Sequence, residues 1–339
     1  MIAARLHGVR DLRVAVEPNP DEQSAGWSLL AVTSVGICGS DLHWFTDGGI
    51  GENRIGRAVV PGHEFAAVAL TGPFAGRRVA VDPAIPCEIC ECCRSGYRNL
   101  CPIVRFAGHG DLDGAMCEQL TWPDHLLHPL PDELSDDAGA LLEPLGVAIH
   151  AIALAHVRLG SDVLVVGAGP IGVLAAQVAR RSGARRVFAV DPLDHRRATA
   201  MRNGADAAWS PLEANDGLLD ATSGRGVDAV IEMAGTDAAI QTAVAAARPS
   251  ATVALGGIPS KDRSSFLASA ARRKGLTFAM VRRMNDTYRR AIILATTAID
   301  LDALVSDRYP LTAAPAAFAA AALRSGDKIV VRVKESGGS

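Results

Sequence analysis

The feature that most constrains the fold is a glycine-spaced turn between an apolar strand and a helix. Residues 161–172 read SDVLVVGAGPIG, and the helical pattern VLAAQVARRSG follows directly. A second apolar run, RRVFAV, then ends in Asp191. A glycine spacing alone is weak evidence. The strand before it, the helix after it and the acid that ends the next strand together predict a βαβ unit of a parallel sheet.

The turn has the residues that a dinucleotide site needs. Gly167 permits a tight turn, Gly169 lets the backbone approach a pyrophosphate, and Gly172 allows the helix and strand to pack closely. Pro170 and Ile171 lie between the last two glycines, where the positive end of the helix faces the anion. The sequence therefore predicts that this segment binds the pyrophosphate of a dinucleotide.

The residues after the second strand indicate which dinucleotide is bound. Asp191 is expected to hold both hydroxyls of the adenosine ribose and to repel a 2′-phosphate, which favours NAD over NADP. Arg196 and Arg197 follow, within reach of the ribose edge or the phosphate. We predict NAD as the cofactor, with Asp191 and Arg196 among its ligands, and keep NADP as the alternative.

The pattern of elements predicts two domains. Alternating strand and helix patterns continue to Val281 and give six strands of one doubly wound sheet. The first 34 residues show short apolar alternations around a turn-rich segment, which is typical of antiparallel β structure. The elements after Val281 are too few for a third domain. We therefore expect a cofactor domain at 146–287 and a second domain formed by 1–145 and 288–339, with a fraying Gly-Gly-Ser tail.

Three residues in the N-terminal part form a predicted catalytic metal site. Cys38, His63 and Glu64 supply a thiolate, an imidazole and a carboxylate, a set that suits tetrahedral zinc with one position open. Neighbouring residues on a strand face opposite sides, so the chain must twist at Pro61-Gly62 for both His63 and Glu64 to reach one ion. In the alternative, Glu64 supports the zinc ligands without binding the ion.

A second group of cysteines predicts a structural zinc site. Cys87, Cys90 and Cys93 are spaced by two residues, and Cys101 follows after seven more. Four thiolates complete the zinc coordination and leave no position for water, so this ion is expected to brace the chain rather than to catalyse. Regular spacing favours Cys93 over Cys92 as the ligand. Free cysteines in a loop are the alternative.

Composition excludes several classes of partner. The 339 residues carry 34 basic and 37 acidic side chains, a formal charge of −3, without a run of like charge. This distribution indicates neither a nucleic-acid surface nor a membrane-binding patch. The first residues lack the cationic and apolar segments of a targeting signal. We expect a cytoplasmic protein whose partner is a small molecule.

These motifs resemble those of the zinc-dependent medium-chain dehydrogenases over essentially the whole chain. The resemblance is carried by GICGSDLH, PGHE, the four spaced cysteines, LEPLGVAIHA, GAGPIG and KIVV. It implies an α/β protein with a GroES-like, β-rich catalytic domain and a doubly wound Rossmann domain. It also implies a homo-oligomer, commonly a tetramer.

One substitution within the family pattern resembles the polyol branch. In alcohol dehydrogenases the third ligand of the catalytic zinc is a cysteine at the position where this chain has Glu143. Sorbitol, L-idonate and related polyol dehydrogenases share the glutamate. The resemblance implies that Glu64 enters the zinc shell and that Glu143 binds zinc directly or through water.

The resemblance also assigns residues to proton transfer. A path is implied from the substrate through Ser40 and the cofactor ribose to His43. Asp41 resembles the acid that orients the zinc-bound His63. The alternatives are that Ser40 and Asp41 only begin a helix and that His43 is a packing residue.

Substrate recognition is expected to involve hydroxyl-rich contacts. Arg282 matches an active-site arginine of the polyol branch, and it is also able to pair with the carboxylate of a sugar acid. Trp44, Phe106 and His109 are further candidates for the site, although ordinary packing explains them equally well.

The function predicted is NAD-linked oxidation of a secondary hydroxyl in a polyol, sugar acid or cyclitol. The first alternative keeps the chemistry and changes the substrate to a simple secondary alcohol or an amino alcohol such as threonine. A more remote alternative is a catalytically retired NAD-binding protein.

Overall fold

The computed structural model describes residues 1–21, 24–261 and 263–333. The chain divides into two compact units, one formed by Met1–Glu143 with Tyr288–Ser339 and the other by Pro144–Thr287. The predicted fraying tail lies outside the described residues.

The strands and helices are numbered in chain order. The strands are β1 (Ile2–Gly8), β2 (Asp11–Val16), β3 (Trp27–Gly36), β4 (Gly49–Ile50), β5 (Asn53–Arg54), β6 (Glu64–Ala69), β7 (Arg78–Val81), β8 (Ala84–Ile85), β9 (Arg105–Phe106), β10 (Gln119–Pro123), β11 (Leu127–Pro129), β12 (Asp162–Val166), β13 (Arg186–Val190), β14 (Ala207–Trp209), β15 (Val227–Glu232), β16 (Ala247–Leu255), β17 (Thr277–Met280), β18 (Val305–Pro310) and β19 (Lys328–Arg332). The helices are α1 (Gly39–Asp47), α2 (Glu91–Arg94), α3 (Asp136–Ala140), α4 (Leu142–Leu154), α5 (Pro170–Arg181), α6 (Asp194–Arg202), α7 (Ala214–Ala221), α8 (Asp237–Ala246), α9 (Ala268–Lys274), α10 (Tyr288–Thr297) and α11 (Ala314–Ala322). Within the described residues, none of these helices has both the length and the apolarity needed to cross a membrane.

The first unit is organised around a seven-stranded sheet. Its order is β11-β7-β6-β3-β19-β18, and β10 also pairs with β3. The side chains of Phe65, Trp122 and Phe318 are almost completely buried and fill its core. Because β19 pairs with β3, the end of the chain returns to the N-terminal sheet.

Three strands of this sheet meet where the site residues lie. Gly36, at the end of β3, pairs with Glu64, the first residue of β6. On its other side Gly36 pairs with Val330 of β19. The register therefore brings the first residues of β6 and β19 to the same end of β3, directly before α1.

The second unit contains one parallel sheet of six strands, as predicted. Its order is β14-β13-β12-β15-β16-β17. Every residue of β12 is buried, which is expected of a central strand covered on both faces. Val166 pairs with Val190 of β13 and Glu232 of β15, so these strands end together. The glycine turn and Asp191 consequently lie at the carboxyl edge of the sheet, where ligands of such folds bind.

The helices that carry site residues begin at recognisable caps. At the start of α1, the Asp41 carboxylate accepts a hydrogen bond from the Cys38 amide (3.0 Å). The helix is followed by Gly48, its C-cap residue, whose φ is 73°. Pro170 occupies the first turn of α5, where its missing amide proton costs nothing. These local interactions fix Cys38 and the glycine turn at helix N-termini.

Candidate active site

Three ligand-bearing groups converge in the first unit. The Cys38 sulfur, one His63 ring nitrogen and one Glu64 carboxylate oxygen all lie within 4.8 Å of one another. Cys38 precedes α1, and Glu64 opens β6 directly after His63. His63 is 3% exposed and Glu64 is 0% exposed. The structure therefore brings together the predicted thiolate, imidazole and carboxylate, with Cys38 half-buried and the other two residues buried.

Gly62 produces the twist that this convergence requires. Its φ is 99°, which only glycine adopts without strain. A Cβ atom there would lie 2.8 Å from Val35 Cγ1, too close for any side chain. His63 precedes the strand and Glu64 begins it, so the alternation of faces along a strand does not separate them.

Asp41 connects the two chain segments that carry the ligands. Its carboxylate accepts hydrogen bonds from the backbone amides of Cys38 (3.0 Å) and Gly62 (3.4 Å). It also lies 3.3 Å from His63 Nδ1, which leaves Nε2 for a metal. Burial alone would raise the pKa of Asp41, but the His63 and His109 rings and the Cys38 amide outweigh burial and hold the pKa below its usual value.

The donor set fits zinc. Glu64 Oε1 is buried, and it has no hydrogen-bond partner among the residues that the structure describes. A buried carboxylate oxygen without a donor is costly unless a cation or proton satisfies it. A thiol and an imidazole lie beside it, and this mixed set is the one that zinc prefers.

Glu143 interacts electrostatically with His63 and Glu64, but it is not one of the three members of this group in the described chain. It is in the first turn of α4 and is 4% exposed. Burial, reinforced by the charge of Glu64 and opposed by His63, raises the pKa of Glu143 to about 8. Its predicted contact with zinc, direct or through water, stays a prediction.

Lys328 is a residue of the site that the sequence analysis missed. It is 3% exposed, and its ammonium group contacts the Glu64 carboxylate. Nζ also donates a hydrogen bond to the Ile37 carbonyl oxygen (2.9 Å). The signal for it was a lysine at the first position of the short apolar run KIVV, where a charged side chain is normally excluded.

The predicted proton-transfer residues share one helix. Ser40 and His43 are three residues apart in α1, a spacing that places them on one face. Ser40 Oγ lies 3.4 Å from His63 Nε2. His43 Nδ1 lies 2.8 Å from Asp47 Oδ2, and an ionised carboxylate only accepts hydrogen bonds, so a neutral His43 ring keeps Nε2 as an acceptor. Asp47 was not predicted; its signal was the i,i+4 spacing from His43.

An aromatic wall lies beside the His63 ring. The rings of Phe106 and His109 are centred 5.1 and 5.3 Å from it, and they stack on each other at an angle of 21°. Trp44 is 6% exposed and packs 5.5 Å from His109. Arg282 is instead an exposed residue of the second unit, in the segment after β17.

The four predicted cysteines form a second group of ligands. The sulfurs of Cys87, Cys90, Cys93 and Cys101 lie within 4.8 Å of one another, and Cys92 is outside this group of the described residues. Hydrogen bonds from the backbone amides of Ile89 and Cys90 lower the pKa of Cys87 to about 6, which favours the thiolate that binds zinc. The group has the composition of a closed structural zinc site.

At the carboxyl edge of the parallel sheet, Asp191 holds the glycine turn in place. Its carboxylate oxygens accept hydrogen bonds from the amides of Ala168 and Leu193, both at 2.9 Å. Each oxygen retains a further lone pair for a ribose hydroxyl. A Cβ atom at Gly172 would overlap the Gly167 carbonyl oxygen, which shows why the helix can begin so close to the strand only with glycine.

The two arginines that follow Asp191 have different surroundings. Arg196 is within 4.0 Å of Asp191 Oδ2, and its guanidinium nitrogen would lie 3.6 Å from a Cβ atom on Gly169. Arg197 donates hydrogen bonds to the carbonyl oxygens of Asp191 and Pro192 and pairs with Asp194. Only Arg196 therefore projects over the glycine turn.

Comparisons with known proteins agree with this architecture. Residues 170–297 match the family model for a zinc-binding dehydrogenase, and residues 24–132 match that for an alcohol dehydrogenase GroES-like domain. The chain is 34% identical to the sorbitol dehydrogenase of Bacillus subtilis over 320 residues, which cover 92% of this chain and 90% of that protein. It is 36% identical to the sorbitol dehydrogenase of Macaca fascicularis over 339 residues, with coverage of 96% and 94%.

A solved structure gives the same result for the fold. The L-idonate 5-dehydrogenase of Escherichia coli superposes with a TM-score of 0.90, covering 98% of this chain and 97% of that one. At 24% identity, this likeness shows the fold alone. The GroES-like domain and the doubly wound sheet expected from the sequence are confirmed.

Proposed function

The chain belongs to the zinc-binding dehydrogenase family, and we propose that it catalyses reversible oxidation of a secondary hydroxyl in a polyol, sugar acid or cyclitol with NAD. The observation that carries this proposal is the group of Cys38, His63 and Glu64, in which Cys38 is half-buried and the other two are buried, with the buried Glu143 near enough for its pKa to respond to His63 and Glu64. Two of the relatives that share about a third of its residues are named sorbitol dehydrogenases.

Cys38, His63 and Glu64 would hold the catalytic zinc, with Glu143 as a further direct or water-mediated ligand. When bound, zinc supplies a Lewis acid that lowers the pKa of a hydroxyl and prepares it for hydride loss. Asp41 fixes the His63 ring, because its carboxylate faces Nδ1 and is itself held by two backbone amides.

Ser40 and His43 carry the proton away from the substrate hydroxyl. The Ser40 hydroxyl is buried beside His63 and both donates and accepts. Asp47 holds His43 Nδ1, so Nε2 is available to receive the proton. This proton and the hydride that NAD would accept together account for the two hydrogens removed from the alcohol.

The cofactor is bound through the glycine turn, with Asp191 on the adenosine ribose and Arg196 beside it. The turn residues Gly167, Gly169, Pro170, Ile171 and Gly172 bind the pyrophosphate at the N-terminus of α5. Asp191 keeps lone pairs free for two hydroxyls, and its charge disfavours a 2′-phosphate. These features support NAD as the preferred cofactor.

The proposed substrate contacts are Trp44, Phe106 and Arg282. The two aromatic rings form part of the wall beside His63 and exclude water from the reacting carbon. Arg282 would pair with a hydroxyl or a carboxylate of the substrate. The contact with Arg282 would be stronger for a sugar acid than for a neutral polyol, because the sugar acid carries a charged carboxylate.

The first test is NADH formation by zinc-replete protein over a panel of L-idonate, gluconates, sorbitol, xylitol, inositols, threonine and 2-butanol, with NADP in parallel. We expect kcat/KM to be highest for a polyol or sugar acid. Higher kcat/KM for 2-butanol or threonine than for every polyol would contradict the proposed substrate class. Absence of turnover for all substrates, with both zinc ions present, would contradict the proposed activity.

We also propose that the protein is cytoplasmic and that it is a homotetramer, the assembly that its resemblance to the polyol branch implies. Light scattering of the purified protein tests the assembly, and a monomer at every concentration would contradict it.

A further inference from the structure

Glu232 is a buried acid of the second unit that the proposed chemistry does not use. It is the last residue of β15 and is 0% exposed. In the sheet it pairs with Val166 of β12 and Leu255 of β16, so it lies at the carboxyl edge, beside the glycine turn that follows Val166. A carboxyl group is rarely buried without defined partners, and those partners indicate what it does.

This one residue holds two turns. Glu232 Oε1 accepts hydrogen bonds from the amides of Ala234 and Gly235, both at 2.7 Å. The backbone carbonyl oxygen of Glu232 accepts from the amides of Gly256 (2.8 Å) and Gly257 (3.0 Å). The side chain therefore fixes the turn formed by residues 233–235, and the backbone fixes the turn after β16.

The turn at residues 233–235 packs against the first glycine of the glycine turn. The Met233 amide donates to the Val166 carbonyl oxygen (2.8 Å), directly before Gly167. A Cβ atom at Gly167 would lie 2.9 Å from the Ala234 nitrogen and 3.0 Å from Ala234 Cβ. The two turns are thus in direct contact, and a displacement of one would displace the other.

Two carboxyl groups accordingly support the glycine turn from its two sides. On the side of β13, Asp191 accepts a hydrogen bond from the Ala168 amide (2.9 Å). On the side of β15, Glu232 holds Ala234 against Gly167. We propose that Glu232 is a positioning residue for the cofactor, which orders the glycine turn for the pyrophosphate before the cofactor binds.

Preorganisation of this kind raises affinity. A turn that is already ordered loses little conformational entropy on binding, so more of the interaction with the anion appears as affinity. The inference rests on the dinucleotide site of the proposed function, and it is independent of which alcohol is oxidised.

This role needs one of the two carboxyl oxygens of Glu232. Oε2 is buried and has no hydrogen-bond partner within residues 1–21, 24–261 and 263–333. Burial raises the pKa of Glu232, and the amides of Gly235, Ala234 and Gly257 oppose this rise without cancelling it. Because Oε2 makes no hydrogen bond, an amide nitrogen in its place leaves both hydrogen bonds to Oε1 intact. Glu232→Gln is therefore the conservative variant.

Fragments of the cofactor test the proposal. In Glu232→Ala, the dissociation constants of NAD and ADP-ribose should rise about tenfold or more, because both ligands contain the pyrophosphate. The constant of adenosine should change less than about twofold, since adenosine lacks the pyrophosphate and would be held by Asp191. Glu232→Gln should bind all three ligands like the parent. Competition against a fluorescent nucleotide measures each constant.

Two results of this titration would overturn the proposal. Equal losses of affinity for ADP-ribose and adenosine in Glu232→Ala would show that Glu232 supports the whole unit rather than the glycine turn. A Glu232→Gln variant as weak as Glu232→Ala would show that the hydrogen bonds to Oε1 do not determine affinity. Should Glu232→Ala fail to fold, Glu232→Asp withdraws the carboxyl group by one methylene and should show the same selective loss for ADP-ribose. Parent-like affinity in Glu232→Asp would count against the proposal.

The matched control lies at the opposite end of the same strand. Thr222 is buried, and its hydroxyl accepts a hydrogen bond from the Gly226 amide (3.0 Å), directly before β15 begins. Thr222→Val removes this hydrogen bond without approaching the glycine turn. It should lower the thermal stability of the protein and leave the dissociation constant of NAD unchanged. A rise equal to that in Glu232→Ala would mean that any loss of stability weakens the cofactor site, and the proposal would fail.

Amide hydrogen exchange of the cofactor-free protein gives a readout that needs no nucleotide. In Glu232→Ala, exchange should become faster both at residues 233–235 and at residues 167–172, whereas Glu232→Gln should match the parent. Faster exchange at 233–235 alone would overturn the proposal, since the carboxyl group would then order only its own turn. A parent that binds ADP-ribose without oxidising any alcohol would contradict the proposed activity and leave this comparison valid. A parent that binds neither NAD nor ADP-ribose would contradict both.

Discussion

At the scale of single residues, Cys38 is the group on which the catalytic zinc most directly depends. It is the sole sulfur in the group with His63 and Glu64 among the described residues, and the four other grouped cysteines form a separate group. Cys38→Ser should lower kcat by more than about 100-fold, because loss of a direct ligand exceeds the 10- to 100-fold cost of losing an outer partner. Metal analysis should show one zinc retained. Activity equal to that of the parent would show that the catalytic site is elsewhere.

Arg196 and Arg197 provide a matched pair for testing the cofactor site. Arg196 projects over Gly169, whereas Arg197 is engaged by two carbonyl oxygens and Asp194. Arg196→Met should raise the dissociation constant of NAD about tenfold, since charge-assisted hydrogen bonds contribute about 1.5–3 kcal/mol. Arg197→Met should have a smaller effect. Titration by fluorescence measures both, and a larger loss in Arg197→Met would reverse our assignment.

The chemistry of individual residues was predictable where their type and spacing are specific. The four cysteines were recognised because four close thiols have few uses other than metal binding. Lys328 was missed because its partner, Glu64, is remote in sequence, and only the register of β3, β6 and β19 brings them together. Pairing between distant residues of a mixed sheet leaves no periodic signal in either segment.

At the scale of secondary-structure elements, the parallel strands were the most predictable. Strands such as β12, β13 and β15 are buried on both faces, so they appear as continuous apolar runs between helices. Helix α9 was not predicted, because its seven residues include three cationic ones at its end and give little apolar periodicity. The short strands β4, β5, β8 and β9 have two residues each and are defined by tertiary pairing rather than by pattern.

The segment around the four cysteines is an element whose order should depend on its metal. It contains α2, a helix of only four residues, with Cys90 at its N-cap, and several apolar side chains there are exposed. Such a short helix is not stable by itself. Cys90→Ser should release one zinc and increase amide hydrogen exchange of residues 87–101, while β3 and β6 keep their protection. Unchanged exchange in this segment would show that the zinc does not brace it.

At the scale of the whole molecule, each unit has its own buried charge cluster. In the first unit, Asp137 is 1% exposed and accepts from Ser34, Arg308 and Arg332, so it ties α3 to three strands. In the second unit, Asp162 is 0% exposed at the start of β12 and accepts from Arg185 and Arg186. The Asp162 cluster is remote in sequence from the proposed metal ligands, so the stability of the second unit can be changed without altering the metal site.

Asp162 gives the second unit a specific dependence on pH. Burial would raise the pKa of this carboxyl, but the guanidinium groups of Arg186 and Arg185 outweigh burial and lower it. A carboxyl whose pKa is lower in the folded state adds stability above its unfolded value of about 3.9, and this contribution is lost as the pH falls through the folded value. The stabilisation should therefore be complete at pH 7 and decline below about pH 4.

The variant Asp162→Asn tests this dependence. The arginines are partly exposed, at 59% and 31%, so solvent screening reduces the loss expected for a buried pair. We expect about 1–3 kcal/mol of destabilisation at pH 7. Thermal unfolding of parent and variant from pH 7 to pH 3 should show a stability difference that narrows in acid, because the parent loses the same interaction on protonation.

The control is Asp194→Asn, which changes an aspartate that is 92% exposed and should have the stability of the parent at every pH. The stability difference between Asp162→Asn and the parent could instead stay constant with pH. In that case the variant would be destabilised by the geometry of the amide and not by the loss of the carboxylate charge.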